Sequence, residues 1–315
     1  MKRKMETSEL IFKIISYVLL IVFAIMCVYP FIYALSCSFS SATAVDNGEV
    51  VLWPIGIQGQ AYKYVFTDNT FWTSYANTLF MAAVGTVWCM VYTLMGAYAL
   101  SKKRLLGRHG WNFFLVFTMW FSAGIVPQFL NYQTTGNIMA SLAGTTYAEI
   151  DQKWLIIIAM GMNATNIILL RNSFEGVPSE IEEAARIDGA TEMQILTKVY
   201  IPMSKATIAT VALFFGISRW NGYFWAMKMM PDQQYSWPVQ VYIRNFIDQT
   251  SELVKPHEEY QSWPEVIRSG YDYTVFSALS VVYAMVICAV IPILCIYPFI
   301  QKYFAKGVNM GGVKE

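Results

Sequence analysis

Ionisable side chains gather between Pro178 and Pro202, in the run PSEIEEAARIDGATEMQILTKVYIP. Ser179 and Glu182 have the spacing of a capping box, which predicts a helix starting at Ser179. Glu182 and Arg186 form an i,i+4 pair that supports it. Ile181, Ala184, Ala185 and Asp188 fall on one side, a face of mainly small residues that lets another surface approach closely. Gly189 predicts a bend, as glycine does where the backbone must turn. A second short helix follows, with Met193, Leu196 and Tyr200 on one stripe and Pro202 at its end. The chemistry open to such a helix–bend–helix is docking through charge and shape. The same periodicity also fits an amphipathic helix that only anchors a loop at a membrane face.

Residue types for covalent chemistry are sparse elsewhere. His109 and His257 are the only histidines, which argues against a histidine-based metal centre. Cys27, Cys89, Cys288 and Cys295 lie inside apolar runs and no C-x-x-C pair occurs, so neither a disulfide framework nor a zinc site is indicated. No Walker-type phosphate loop is present, so the chain is not expected to hydrolyse ATP alone. The net charge of +1 gives no reason to expect nucleic acid as a partner.

The elements that must carry these residues are apolar. Hydrophobic residues fill 56% of 315 positions, charged residues 14%, and mean hydropathy is +0.41. Soluble domains carry about 25% charged residues, so an integral membrane protein is expected. Six stretches, at 14–36, 72–100, 111–131, 154–174, 204–225 and 274–300, approach the roughly 20 residues a spanning helix needs. They predict a single transmembrane domain over 1–315, with a cytoplasmic loop at 178–202 and an extracellular loop at 226–273. Ala42-Thr43-Ala44 offers a cleavage-like site after the first stretch, but the apolar core there exceeds the roughly 7–15 residues of a signal peptide and favours an anchor. With the N-terminus inside, fifteen of the 22 Lys and Arg lie in the cytoplasm and seven, Arg219 and Lys228 among them, lie outside. Both termini are therefore expected in the cytoplasm.

The central parts of the six stretches hold no Asp, Glu, Lys, Arg or His. An ion-coupled carrier usually keeps such groups at membrane depth, so that class is disfavoured. A membrane enzyme acting on lipid-linked sugars is disfavoured too, because no paired carboxylates or metal cluster sit near a membrane face.

Glu183-Ala184-Ala185, Gly189, Val199, Ile201 and Pro202 resemble the EAA motif of ABC importer permeases: EAA, three residues, Gly, nine residues, then I-x-L-P. Val199 and Ile201 stand where that family usually has Ile and Leu. Tyr29-Pro30-Phe31, Phe121-Ser122-Ala123-Gly124 with Pro127, and Arg219-Trp220-Asn221-Gly222-Tyr223-Phe224-Trp225 look like its carbohydrate-importer branch. The tail from Gln301 through Gly307 to Gly311-Gly312-Val313-Lys314 is similar to the C-terminus of maltose-type permeases, with Glu315 where that branch commonly has Gly. Gram-positive permeases for aldouronates and pectin fragments are similar in kind.

The resemblance implies an all-α polytopic membrane protein of the type I ABC importer permease fold, with six transmembrane helices, in a Gram-positive cytoplasmic membrane. It implies one half of a pathway for a carbohydrate, an oligosaccharide by its branch. A second permease chain would complete a heterodimer in membrane lipid, two copies of a cytoplasmic ATPase would bind ATP and Mg, and an extracellular sugar-binding lipoprotein would deliver substrate. No catalytic residue, metal or cofactor is expected on this chain. Glu183, Ala184, Ala185, Asp188, Gly189 and Pro202 would form the ATPase-coupling loop, and Gly307, Gly311 and Gly312 a tail reaching the ATPase.

Sugars present hydroxyls and flat CH faces, which amides and aromatic rings match. Trp220, Asn221, Tyr223 and Trp225 supply that mixture, although interfacial aromatics also form an ordinary belt; the resemblance favours the substrate path for Trp220 and Asn221. Asn163 and Asn166 either line the path or hydrogen-bond a neighbouring helix. In the outer loop, Val239, Tyr242, Ile243, Phe246 and Ile247 predict an amphipathic helix. Tyr235, Trp237, Tyr260 and Trp263 around it form either a cap over the spans or a docking surface for the binding protein.

Overall fold

The computed structural model describes residues 7–121, 123–251 and 277–307. Among them the regular elements are helical: α1 (Thr7–Ser38), α2 (Ala42–Asp46), α3 (Gln60–Thr67), α4 (Asn69–Ser101), α5 (Arg108–Trp120), α6 (Ile125–Ala143), α7 (Gln152–Ala159) and α8 (Ala164–Glu175). Then come α9 (Ser179–Ile187), α10 (Glu192–Ile195), a π turn at Leu196–Tyr200, α11 (Ile201–Met203), α12 (Lys205–Trp220), α13 (Tyr223–Met229), α14 (Val239–Ser251) and α15 (Ala278–Gly307). The described residues divide into two compact units, one drawn from the ranges 7–71, 243–251 and 277–291 and the other from 72–121, 123–242 and 292–307.

In the first unit, α1 is apolar on every side, and Phe12, Leu19 and Phe23 project from it uncovered. Water tolerates so large an exposed apolar surface poorly, whereas lipid or a partner helix accepts it. Packing within the chain begins near its C-terminal end, where Cys37 is buried with Ala44, Val45 and Val50 against Tyr33, Leu279 and Tyr283. The Ala42-Thr43-Ala44 triplet thus belongs to a packed helix, whose Asp46 accepts a hydrogen bond from the Ser277 hydroxyl.

Three helices, α1, α4 and α15, are long and apolar enough to cross a bilayer, and three bent pairs bring the number to six if each pair is one span. The apolar stretches found in the sequence fall on these helices, but three are interrupted. Stretch 111–131 is divided between α5 and α6, where Gly124 takes a φ of +85° and Pro127 sits in the first turn of α6. Stretch 154–174 is divided between α7 and α8, whose axes differ by 49°. Before stretch 204–225 the chain turns by 90° between α11 and α12, and α12 ends at Trp220. Mean hydropathy does not register such breaks, because glycine, proline and capping side chains set them while the apolar composition continues.

The second unit is built on α4. Its middle packs on α12 through Cys89, Met90, Val211 and Phe215. Towards one end Met81 joins Leu155, Ile156, Ile157, Met229, Met230 and Val241. Towards the other, Ala97 and Tyr98 join Ile167, Leu170, Phe174, Leu196 and Tyr200.

Arg219, counted with the outside charges, is only 9% exposed. Its guanidinium donates to the Ile156 carbonyl at 3.0 Å, to the Cys89 thiol at 3.0 Å and to the Met160 carbonyl. Those carbonyls stand at the C-terminal end of α7, where Ile156 also accepts from the Met160 N–H at 3.4 Å and Met160 from the Cys89 thiol at 3.7 Å. A cation there also meets the negative end of the helix dipole. Gly85 admits the stem: a Cβ at that position would lie 3.3 Å from the Arg219 Cδ and Nε.

Candidate functional site

α9 begins at Ser179 as expected, but not by the expected cap. Pro178 occupies the N-cap and no side chain caps the helix. The capping box belongs to the next helix, where the Thr191 hydroxyl accepts from the Gln194 amide and the Gln194 side chain accepts from the Thr191 amide. Glu180 and Glu182 in the first turn of α9 and Arg186 in its last complement the helix dipole.

Glu182 is drawn inward instead. Its carboxylate accepts from Lys102 Nζ at 2.8 Å, from Arg186 at 2.5 Å and from the Tyr200 hydroxyl at 2.5 Å. Lys102, at the end of α4, is 8% exposed. Its ammonium lies 4.0 Å from the Tyr98 ring centroid and 3.8 Å from that of Tyr200. Each such cation–π contact contributes about 0.5–2 kcal/mol, more as water is excluded. Tyr98 donates to Glu192 at 2.7 Å, and Glu192 also meets Arg104 and Arg186. One ionic cluster thereby fastens α9 and α10 to the end of α4.

The bend is a glycine-dependent helix end. Gly189 takes a φ of +78°, its N–H donates to the Arg186 carbonyl and that of Ala190 to the Ala185 carbonyl, both at 3.0 Å. This paired pattern is a Schellman motif. Leu196–Tyr200 then widens into a π turn in which the Ile201 N–H reaches back to the Leu196 carbonyl. Pro202 has no N–H to give, and such widening is a known accommodation in helices. The stripe expected on this helix is split: Leu196 and Tyr200 are buried while Met193 is exposed. On the outward face of α9, Ile181, Glu183, Ala184, Asp188 and Gly189 are exposed, and Ile187 is 86% exposed. Ala185 packs inward against the core around Leu196 and Tyr200.

Burial alone raises the Glu182 carboxyl, but the hydrogen bonds from Lys102 and Tyr200 and the charges of Lys102 and Arg186 outweigh it and hold it below the ordinary value of 4.5. Because the folded value is the lower one, the stability this carboxylate contributes is complete above the ordinary value and lost as pH falls through the lowered one. Amide exchange over residues 179–188, corrected for intrinsic rates, should therefore stay level from neutral pH to about pH 5 and rise below it. Glu182→Gln should flatten that rise; an onset at neutral pH in the wild type would assign control to another group.

The other expected site residues lie apart from this cluster. Trp220 is buried, edge-on to Tyr75 with centroids 6.0 Å apart, whereas Asn221 and Tyr223 are exposed. Trp225 packs edge-on against Tyr132 at 4.7 Å. Asn163 caps α8 by accepting from the Asn166 amide at 3.1 Å, and Asn166 is buried. Tyr235 is exposed, while the Trp237 indole donates to the Met230 carbonyl at 2.6 Å and packs on the core. The expected outer helix is α14, with Val239, Ile243 and Phe246 buried. Gly307 ends α15. Tyr260, Trp263, Gly311 and Gly312 lie outside the described residues.

Sequence reasoning missed Lys102, Tyr98 and Tyr200 as a clamp. A lysine directly after an apolar run reads as an interfacial anchor, and nothing local pairs it with a carboxylate 80 positions away. Among the described residues no group of three or more His, Cys, Asp or Glu is placed to hold a metal ion.

An ionic cluster thus holds an exposed helix–bend–helix at the end of α4, in a chain with apolar helices long enough to cross a membrane. Residues 105–310 match the binding-protein-dependent transport system inner membrane component, and the chain belongs to that family. It is 33% identical over 304 residues to the polygalacturonan/rhamnogalacturonan transport system permease protein YtcP of Bacillus subtilis, covering 96% of this chain and 98% of that one. It is 27% identical to the arabinooligosaccharides transport system permease protein AraQ of Halalkalibacterium halodurans over the full length of both. Among solved structures, a chain of a bacterial ABC transporter involved in the import of the acidic polysaccharide alginate superposes with a TM-score of 0.81 at 41% identity, over 96% of this chain and 100% of that chain. The protein is an inner-membrane permease subunit of a carbohydrate ABC importer, of a kind that works with other permease, ATPase and binding-protein components.

Proposed function

We propose that the outward face of α9 is the surface through which a separate ATPase chain drives this permease. The observation that carries it is the division of α9 into two faces. Glu182 and Arg186 are held in the ionic cluster, while Ile181, Glu183, Ala184, Ile187 and Asp188 have their side chains free for a partner. Two copies of the ATPase bind ATP and Mg below a heterodimer of this chain and a second permease, and an extracellular lipoprotein delivers the sugar. This chain breaks no covalent bond. ATP-driven closure of the ATPase dimer pushes α9, and the cluster carries the push into α4. Gly307, Gly311 and Gly312 extend the contact to the ATPase, and Tyr235, Tyr260 and Trp263 face the binding protein. Trp220, Asn221, Tyr223, Trp225, Asn163 and Asn166 border the sugar's route. The cargo is an acidic, uronate-containing oligosaccharide, a reading supported by the named substrates of the polygalacturonan and alginate systems.

Two substitutions test the docking face. Glu183→Ala removes a carboxylate that serves no internal cluster. Gly189→Val strains the left-handed backbone although no atom lies within 4 Å of an added Cβ. Both proteins should reach the membrane, Glu183→Ala with stability within about 1 kcal/mol of the wild type and Gly189→Val about 1–3 kcal/mol below it from backbone strain, and both should lose co-purifying ATPase and sugar-stimulated turnover. Unchanged association and turnover in both would sink the assignment.

A further inference from the structure

The connection between α6 and α7 and the turn after α13 build a small walled cavity within the second unit. Gln233 stitches the wall: its Nε2 donates to the Ala148 and Ile150 carbonyls at 3.1 and 2.9 Å, and its Oε1 accepts from the Gln152 amide at 3.1 Å. Ser236 Oγ donates to Asp151 at 2.8 Å and pins the next turn to the same connection. Beside this wall lies a cavity of about 270 Å³ lined by Phe129, Gln133, Tyr147, Gln152, Lys228 and Asp232, among others. Ligand pockets start at about 300 Å³, so this one admits a single pyranose ring rather than a chain.

Its chemistry is that of a sugar site with one cation. Gln152 is 6% exposed, and its Oε1 accepts no hydrogen bond among the described residues. Buried side-chain oxygens are nearly always partnered, so this acceptor lacks a donor; it is shielded as it stands, and a ligand hydroxyl meets it once the side chain turns into the cavity. Tyr147 is seated by the absence of a side chain on α6: a Cβ at Gly136 would stand 2.3 Å from its ring. That ring and Phe129 give the apolar surface a pyranose CH face requires. Lys228 is exposed and makes no ion pair among the described residues. Asp232 lines the same cavity as an acceptor for hydroxyls.

We infer that this cavity binds one uronic-acid residue of the oligosaccharide, with Lys228 pairing its carboxylate and Gln152 accepting a hydroxyl. The inference rests on the proposed acidic cargo. In the assembled importer reconstituted in membranes, ATP-driven uptake of trigalacturonate and of neutral galactotriose is measured for the wild type, Lys228→Gln, Lys228→Arg and Gln152→Leu. Loss of a charge-assisted pair should raise the KM for trigalacturonate about tenfold in Lys228→Gln, leave the maximal rate in place, and be largely rescued in Lys228→Arg. Any galactotriose uptake should not change with Lys228. Gln152→Leu should raise the KM for both sugars. A wild-type thermal midpoint in each variant excludes misfolding. Trigalacturonate uptake with one KM across all four proteins overturns the cavity and leaves the acidic cargo standing. Uptake of galactotriose alone by the wild type overturns both.

Discussion

Lys102→Met should leave the permease in the membrane but cut sugar-stimulated ATP turnover by tenfold or more, and lower its thermal midpoint. The substitution keeps an apolar stem of similar length between Tyr98 and Tyr200 and removes only the charge. Glu182 is then left half-buried with Arg186 and Tyr200 but without the more buried of its two cations. Breaking a buried pair from one side costs about 3–5 kcal/mol when the surviving charge has no other partner, and less here because Arg186 and the Tyr200 hydroxyl still meet Glu182. Replacing both partners with apolar residues is far milder for the same reason. The double variant Lys102→Met/Glu182→Met should therefore recover most of the thermal midpoint. It should not recover turnover, since α9 is no longer held to α4 by an oriented pair. Additive losses in the double variant would mean that the two side chains do not act as a unit.

Arg219→Met is expected to have the largest effect on stability itself. It strips donors from the Ile156 and Met160 carbonyls and from Cys89 in one step. The Ile156 carbonyl keeps the Met160 N–H and the Met160 carbonyl keeps the Cys89 thiol, so what is lost at each is the charged donor, worth about 1.5–3 kcal/mol, and the surroundings of a span offer no water to replace it. Folded yield and thermal midpoint should both fall sharply. Arg219→Lys should recover only part of the loss, because one ammonium does not reproduce the guanidinium fork. Gly85→Val should act in the same direction by crowding the Arg219 stem. If the arginine were a solvated charge at the outer end of α12, Arg219→Met would shift stability by no more than about 0.5 kcal/mol. Thermal unfolding of the purified permease separates the two outcomes.

The membrane class and the helix–bend–helix were legible from residue order because both depend on short-range chemistry. Apolar runs long enough to span a bilayer have no comparable use in water, and α1, α4 and α15 follow from them directly. Gly189 marks the bend because a φ of +78° is strained for other residues. The i,i+4 pair of Glu182 and Arg186 forms as its spacing implies.

Tertiary structure alone decided which charge meets which. Ser179 and Glu182 have the spacing of a cap, yet an N-cap contributes about 1 kcal/mol while an unpaired buried lysine costs several. Lys102 therefore takes Glu182, and the capping box forms at Thr191 and Gln194 instead. Arg219 reads as an outer charge in the sequence, and only the break after α7 brings the Ile156 and Met160 carbonyls within reach of its guanidinium. That break depends on where α7 ends and α8 is capped by Asn163, an arrangement no hydropathy window records. Sequence alone thus determined that the chain crosses the membrane and carries a helix–bend–helix. The folded chain decided how that loop is fastened to the spans, because the partners of a buried charge are chosen by desolvation across the whole unit rather than by neighbours in the chain.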